Sequence, residues 1–116
     1  MDITHRRLPR VDVLSVSGRV QAPEAATLKE HIDQLFNEGR YRLVLDLERL
    51  DYISSGGLRV LIDARKRARE HKLGGSERGD VRIVHLPPQV KNVFDLTGVT
   101  SLFQIYDDLL EAVGSY

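Results

Sequence analysis

Two adjacent serines followed by two glycines have the clearest potential for chemistry in this chain. Ser54 and Ser55 precede Gly56 and Gly57 and come directly after the short apolar run Leu50–Ile53. The residues that follow have the spacing of an amphipathic helix, so the serines stand where that helix must begin. The first amides of a helix lack intrahelical partners, and a serine oxygen can accept hydrogen bonds from them. One interpretation is therefore a serine N-cap followed by glycines that let the turn bend.

The same position also suits a regulatory phosphorylation site. A phosphate added at a helix N-terminus meets free backbone amides and the positive end of the helix dipole. It adds about −1.5 to −2 charges without disrupting the fold, which suits a binding switch. Arg59, four residues after Ser55, is expected to lie one helical turn away and to contact the phosphate. The residues alone leave both interpretations open.

Other kinds of catalytic or cofactor site are not indicated. A hydrolase nucleophile elbow needs the pattern Gly-x-Ser-x-Gly, and Ile53 occupies the first glycine position in the frame of Ser55. The chain has no cysteine, no Walker-type phosphate loop and no Gly-x-Gly-x-x-Gly pattern. Its histidines lack the spacing of a metal site or the setting of a catalytic triad; they are His5, His31, His71 and His85. We therefore expect no catalysis, no metal and no cofactor.

Asp46 raises a further alternative, the phosphoacceptor aspartate of a receiver domain. It lies near the end of Tyr41–Leu47, a strand with consecutive aliphatic residues at its centre. Receiver domains also need an acidic pair after their first strand to hold magnesium, and the matching segment Ser17–Arg19 contains no acidic residue. We therefore expect Asp46 to have a supporting role, as a hydrogen-bond partner of the Ser54–Ser55 turn.

Alternation of strand and helix patterns predicts one α/β domain over residues 1–116. Apolar alternation or short apolar runs predict strands at Ile3–Leu8, Val11–Val20, Tyr41–Leu47, Leu50–Ile53, Val81–Leu86 and Leu102–Tyr106. Helical spacing predicts four helices, which start near Pro23, after Ser55, near Val90 and after a capping Asp107. Gly39 and Gly98 are the predicted stops of the first and third helices, and Gly74–Asp80 is a predicted loop. The expected sheet is mixed and mostly parallel, with about five strands.

The charge balance argues against several partners and locations. Lys and Arg number 17, as do Asp and Glu, so no net charge attracts nucleic acid or an anionic membrane. The basic run Arg65–Lys72 is interrupted by Glu70 and has no interleaved aromatic residue, which favours a solvated helix face that can also contact an acidic partner. Met1–Arg10 lacks the apolar centre of a signal peptide, and no apolar run approaches the ~20 residues of a membrane span. A cytoplasmic protein without membrane insertion is expected.

Tyr52–Arg59 resembles the phosphorylation loop of the STAS domain, a family named for sulphate transporters and anti-sigma factor antagonists. In that loop an apolar or aromatic pair precedes Asp or Ser, then Ser, a small residue and Gly-Leu. Aligned on Gly57, Ser55 takes the phosphoacceptor position and Ser54 is the alternative. Three other segments resemble family signatures in the same order, and the match spans essentially the whole chain; they are Gly18–Val20, Pro88–Gly98 and Leu102–Tyr106.

The resemblance implies a switch protein of the anti-sigma factor antagonist kind. Its unphosphorylated form would bind an anti-sigma factor, a serine/threonine kinase, and so release the sigma factor. Phosphorylation of Ser55 would turn it off, and a serine phosphatase of the PP2C type would reverse this. A monomer or weak dimer is expected. The implied partner-binding residues are Gln21, Ala22, Glu24, Ser54, Ser55, Gly56, Gly57 and Arg59.

Two features of the loop region bear on this resemblance. Gln21 and Ser54 occupy positions where the family often has Asp.

An alternative within the same family is a STAS subunit that docks on a transport or lipid-trafficking ATPase. In that role the serine loop would contact its partner without a phosphorylation cycle.

Overall fold

A six-stranded mixed sheet carries four helices in this computed structural model, which describes residues 1–116. In chain order the elements are β1 (Asp2–Arg7), β2 (Asp12–Val20), α1 (Ala22–Asn37), β3 (Arg42–Asp46), β4 (Leu50–Ile53), α2 (Ser55–Arg69), β5 (Lys72–Gly74), β6 (Glu77–Arg78), β7 (Asp80–Val84), α3 (Pro88–Leu96), a 3-10 turn (Thr100–Leu102), β8 (Ile105–Tyr106) and α4 (Leu109–Gly114). None of these helices combines the length and the apolar composition needed to cross a membrane.

The sheet begins with a hairpin and continues in parallel. Its strand order is β1-β2-β3-β7-β8, with β4 paired to the far end of β2. Only the β1–β2 pair is antiparallel, and β2–β3, β2–β4, β3–β7 and β7–β8 are parallel. Residues 12–15 of β2 pair with β3, and residues 18–20 pair with β4. The β2–β4 ladder contains a register shift between Gly18 and Arg19. The expected α/β fold with a mostly parallel sheet and four helices is confirmed.

Both faces of the central strand β3 are covered. Leu43 and Leu45 pack into the main core of 23 buried residues together with α1, α2 and α3. Val44 points to the other face, where it packs in a smaller cluster with Ala112 of α4. Successive side chains of a strand point to opposite faces, so a strand covered on both sides needs consecutive aliphatic residues. This is why the run in β3 has no polar alternation.

Helix α1 begins and ends as its residues predict. Pro23 lies in its first turn, and Leu28 and Ile32 are buried along its inner face. Glu24 Oε1 accepts a hydrogen bond from the Gln21 amide at 3.0 Å, which satisfies one amide at the helix start. Gly39 follows the last turn with φ +79°, a conformation that glycine adopts without steric penalty.

The segment after α2 is more ordered than the predicted loop. Lys72–Gly74 and Glu77–Arg78 form the two-stranded antiparallel hairpin β5–β6 rather than an irregular connection. Gly79 then passes so close to the end of α2 that a Cβ there would lie 2.4 Å from the carbonyl oxygen of Ala68. Tyr41 stacks on His71 with 3.8 Å between ring centroids, which covers the same end of the helix. These are long-range contacts that the local pattern of glycine and charge does not reveal.

The C-terminal predictions need two corrections. The predicted strand Leu102–Tyr106 is reduced to Ile105–Tyr106, because Thr100–Leu102 forms a 3-10 turn. The predicted cap Asp107 is displaced by one residue, and the Asp108 carboxylate accepts the hydrogen bond from the Leu110 amide. This shift leaves Leu110 80% exposed and places Ala112 in the core.

Candidate functional site

Strands β2 and β4 end side by side, and each leads directly into a helix. Val20 and Ile53 are register partners at these two ends. The Ser54 amide donates a 2.8 Å hydrogen bond to the Val20 carbonyl, which ties the start of α2 to the end of β2. Gln21, the N-cap of α1, is therefore next to Ser54, the N-cap of α2. The two helix N-termini share the carboxyl edge of the sheet, where α/β folds commonly place binding sites.

Ser54 caps α2. Its Oγ accepts a hydrogen bond from the Gly57 amide at 3.1 Å, and its carbonyl accepts one from Leu58 at 2.9 Å. The side chain is partly buried. The structural role predicted for one of the two serines therefore belongs to Ser54.

Ser55, unlike Ser54, has a free and exposed side chain. It is the first residue of α2, it is exposed, and its hydroxyl makes no hydrogen bond within the chain. The amides of the first helical turn are close by, and only one of them is satisfied by the Ser54 oxygen. An anionic group on Ser55 would thus meet free donors and the positive end of the helix dipole. The expectation that Ser55 is exposed in the first turn of this helix is confirmed.

A shallow cavity of about 450 Å³ adjoins Ser55. It lies between α2 and the turn that follows α3, and its other lining residues are Leu58, Arg59, Ile62, Asp63, Thr97 and Val99. Arg59 is exposed and lines this cavity together with Ser55, in agreement with the predicted one-turn spacing. Asp63 contributes an opposite charge one turn further along the helix.

Sequence reasoning did not include Thr97 and Val99 in this site. They reach the cavity because the turn after α3 is held in shape by Asp95, which accepts hydrogen bonds from Lys91 and from the Thr100 hydroxyl. These two hydrogen bonds, that from Lys91 above all, hold the pKa of Asp95 below its ordinary value. No local signal relates these residues to Ser55, about forty positions earlier in the chain.

The expected partner-binding residues form one surface with a single exception. Gln21, Ala22 and Gly56 are exposed around Ser55, and Glu24 is partly exposed. Gly57 is buried, so it cannot contribute a contact surface. A Cβ at Gly57 would lie 2.6 Å from Ile53 Cγ1 and 3.0 Å from Val20 Cγ1. Gly57 therefore acts by letting the start of α2 approach the sheet closely.

A further exposed pair, Arg19 and Tyr52, precedes the serine turn and was not predicted as part of the site. Val20 and Ile53 pack in the main core, so Arg19 and Tyr52 point to the opposite face of the sheet. They are register partners on β2 and β4, one position before each strand's last residue. The Arg19 guanidinium lies over the Tyr52 ring at 4.5 Å from its centroid, and Tyr52 is 40% exposed. An exposed aromatic residue beside an arginine is a common anchor in protein interfaces. The parallel pairing of β2 with β4 is the signal that would have found it.

Asp46 does not have the hydrogen-bond partner expected for it, the Ser54–Ser55 turn. Asp46 Oδ1 accepts a hydrogen bond from the Glu48 amide at 3.2 Å and lies 3.1 Å from Nδ1 of His85. Leu45 and Leu47 point toward the helices in the main core. Strand alternation therefore turns Asp46 to the opposite face, away from the serine turn.

Asp46, Glu48 and His85 nevertheless bring three potential ligand atoms within 4.8 Å of one another. His85 has φ +58°, and it follows β7, the neighbour of β3. Histidine spacing along the sequence misses this group, since its members come from the ends of two adjacent strands.

Comparisons with known proteins identify the family of this fold. The STAS domain family model matches residues 2–112. The candidate anti-sigma factor antagonist BtrV of Bordetella bronchiseptica is 30% identical over 116 residues, which cover all of this chain and 95% of that protein. The anti-sigma-F factor antagonist RsfB of Mycobacterium tuberculosis is 28% identical over 89% of this chain and 79% of that protein.

A solved structure shows the same fold over nearly the whole chain. The crystal structure of an anti-sigma factor antagonist from Mycobacterium paratuberculosis superposes with a TM-score of 0.81 at 25% identity, covering 98% of this chain and 92% of that one. The fold, the serine turn at the carboxyl edge of the sheet and the extent of the family match lead to one conclusion. The chain belongs to the STAS domain family.

Proposed function

We propose that this chain is an anti-sigma factor antagonist. Its unphosphorylated form binds an anti-sigma factor that is itself a serine/threonine kinase, and this binding releases the sigma factor. Phosphorylation of Ser55 by that kinase turns the antagonist off, and a PP2C-type serine phosphatase restores it. The chain acts as binder and substrate and catalyses no step itself. The observation that carries the proposal is an exposed, unpartnered Ser55 hydroxyl at the start of α2.

Ser55 is a better phosphoacceptor than Ser54 for a structural reason. The Ser54 oxygen already accepts a hydrogen bond from the Gly57 amide and is partly buried. Modifying it would disturb the cap of α2, which is worth about 1 kcal/mol. A phosphate on Ser55 leaves that cap in place and can accept hydrogen bonds from the remaining free amides.

The switch works through charge at an interface. The exposed residues around Ser55 form the proposed docking surface. A phosphate in the middle of this surface must be desolvated when the partner binds, and it meets the partner's own charges. A mismatch of about 1.4 kcal/mol weakens binding tenfold. Modest repulsion is therefore enough to release the partner.

The remaining expectations are part of the same proposal. Residues 1–116 act as a single STAS domain that works in the cytoplasm as a monomer or weak dimer. It needs no cofactor and does not bind nucleic acid. Arg59 contacts the phosphate from one turn away, because it lines the same cavity as Ser55.

The direct test is phosphorylation by candidate anti-sigma factor kinases. The protein is incubated with each kinase and ATP, and the modified site is located by mass spectrometry. Wild type and Ser54→Ala are expected to gain one phosphate on Ser55, whereas Ser55→Ala gains none. Modification of Ser54 in the wild-type protein, or undiminished labelling of Ser55→Ala, contradicts the assignment.

Partner affinity tests the sign of the switch. Ser55→Asp is expected to weaken binding, at least in part, because aspartate carries only one charge, while Ser55→Ala binds constitutively. Binding that is unchanged both in Ser55→Asp and in the truly phosphorylated protein leaves Ser55 without a regulatory role. That outcome favours the alternative of a STAS subunit that docks on a transport or lipid-trafficking ATPase.

A further inference from the structure

Six arginines surround two carboxylates at the edge of the sheet opposite to Ser55. Arg42 and Asp80 are the first residues of β3 and β7 and are register partners there, whereas Ser55 follows the carboxyl end of β4. The six arginines are Arg10, Arg42, Arg65, Arg69, Arg78 and Arg82, and the two carboxylates are Glu77 and Asp80.

Asp80 is shared by three of the arginines. It is only 2% exposed, and its carboxylate lies 3.1 Å from Arg82 Nε, 3.7 Å from Arg69 Nη1 and 3.8 Å from Arg65 Nε. One buried negative charge requires one partner to be neutralised. The Asp80 carboxylate therefore leaves two of these three positive charges uncompensated.

Glu77 is shared as well, and Arg78 has no acidic partner. Glu77 Oε2 lies 3.0 Å from Arg42 Nη2 and 3.5 Å from Arg10 Nη2. Arg78 Nη1 donates instead to the backbone carbonyl of Arg69 at 3.1 Å. Six positive charges thus face two negative ones, an excess of four, in a chain whose formal net charge is zero.

A cavity of about 290 Å³ lies at the centre of this cluster. The guanidinium-bearing residues that line it are Arg42, Arg69, Arg78 and Arg82. Ser76 adds a hydroxyl group, and Glu77 is the one carboxylate-bearing side chain in the lining. Arg82 is held firmly, because it donates to the Ser115 carbonyl at 2.6 Å and lies over the Tyr116 ring at 4.0 Å. Arg42 and Arg82 are only 20% and 14% exposed. A ligand would therefore meet guanidinium groups that are already ordered.

We propose that this arginine-lined cavity binds an anion that carries two or more linked phosphate groups. Guanidinium groups are suited to phosphate because they donate two parallel hydrogen bonds to its oxygens. Four arginines and one carboxylate line the cavity, an excess of three positive charges. One phosphate carries about −1.5 to −2 charges, so neutralising this excess requires at least two. The site lies at the opposite edge of the sheet from Ser55 and operates whether or not Ser55 is phosphorylated.

Titration with inorganic tripolyphosphate tests the proposal. Isothermal calorimetry on the full chain at constant ionic strength is expected to show one site, with tripolyphosphate binding at least about tenfold more tightly than orthophosphate. Arg78→Gln removes an exposed arginine that neutralises no carboxylate, so the variant should fold normally. We expect it to weaken tripolyphosphate binding about tenfold, the loss of one charge-assisted contact.

Arg6→Gln is the matched control, since Arg6 is exposed on β1 and the substitution removes the same charge. Binding by this variant should stay within about twofold of wild type, and Ser55→Asp should bind equally well. The same titration followed by amide NMR should shift the signals of Ser76 and Gly79. No binding at millimolar tripolyphosphate overturns the proposal. So does an equal loss in Arg6→Gln, or a set of shifted amides centred on the start of α2.

Discussion

The Ser54 side-chain oxygen accepts a hydrogen bond from the Gly57 amide at 3.1 Å, so Ser54, and not the adjacent Ser55, caps α2. Ser54 provides the side-chain acceptor for a backbone amide at the start of α2. The hydroxyl of Ser55 is therefore not needed for folding and stays exposed. A chemical change at Ser55 can therefore alter the surface while the helix keeps its cap. The proposed binding switch requires a hydroxyl of this kind, one that can be modified without loss of the helix cap.

The first prediction concerns the stability of the two serine variants. Ser54→Ala should lower the free energy of unfolding by about 1 kcal/mol, because it removes an N-cap. Ser55→Ala should change it by no more than about 0.5 kcal/mol, as is usual for exposed positions. Urea denaturation followed by circular dichroism measures both. Equal losses in the two variants would show that the capping role is not confined to Ser54.

The second prediction contrasts the two glycines that follow. Gly57→Ala places a methyl group 2.6 Å from Ile53 Cγ1, and such overpacking costs about 1–3 kcal/mol. At Gly56 the nearest atom to an added Cβ is Ser54 Oγ at 3.7 Å, an ordinary contact. Gly56→Ala should thus stabilise the protein by about 0.4–1 kcal/mol, because it reduces the freedom of the unfolded chain. Thermal unfolding of both variants checks the difference, and a stable Gly57→Ala would contradict the close approach.

The third prediction concerns alkaline pH and Tyr116. Its hydroxyl lies 2.7 Å from the carbonyl oxygens of both Leu43 and Asp80, which share its single donated proton. Burial, and secondly the Asp80 charge, raise the pKa of Tyr116 well above its ordinary value. A group whose pKa is raised on folding contributes full stability below its unfolded pKa of about 10 and loses that contribution as the pH rises further.

Tyr116→Phe tests this dependence. The variant should lose about 1–2 kcal/mol at pH 7, and its difference from wild type should shrink as the pH rises above 10. Denaturant titrations at pH 7, 9 and 11 measure the two stability curves. A difference that stays constant across this range would show that folding does not raise the pKa of Tyr116.

The fourth prediction concerns acid pH and the contact between α1 and α2. The Asp33 carboxylate accepts hydrogen bonds from Lys29 at 2.7 Å and from Arg67 at 2.6 Å. The Lys29 hydrogen bond, with a smaller contribution from Arg67, lowers the pKa of Asp33. A carboxyl group with a lowered pKa contributes stability above its unfolded value of about 3.9, and this contribution disappears as the pH falls through the folded value.

Asp33→Asn should therefore lower stability by about 0.5–1 kcal/mol at pH 7, and the difference should vanish toward about pH 2. Glu30→Gln is the control, because Glu30 is exposed on the same helix and has no ion pair in the structure. Its stability should follow that of wild type over the whole range. A loss in Glu30→Gln as large as that in Asp33→Asn would point to general charge effects instead.

The sequence by itself determined the four helices, the main strands and the place of the serine turn. Apolar periodicity, Pro23 in the first turn of α1 and Gly39 after its end each act on residues only a few positions away, so their effects can be predicted locally. The consecutive aliphatic residues of β3 predict burial on both faces, as observed. The same local logic placed Ser55 in the first turn of α2.

Only the tertiary structure decided which of these residues meet. Strand alternation turned Asp46 away from the serine turn and toward His85. Packing of the turn after α3 brought Thr97 to the cavity beside Ser55. Pairing of β3 with β7 gathered at one edge arginines that are spread over much of the sequence, among them Arg42 and Arg82. Such neighbours depend on strand order and on which face each side chain takes, and both are set by the burial of the whole core rather than by nearby residues.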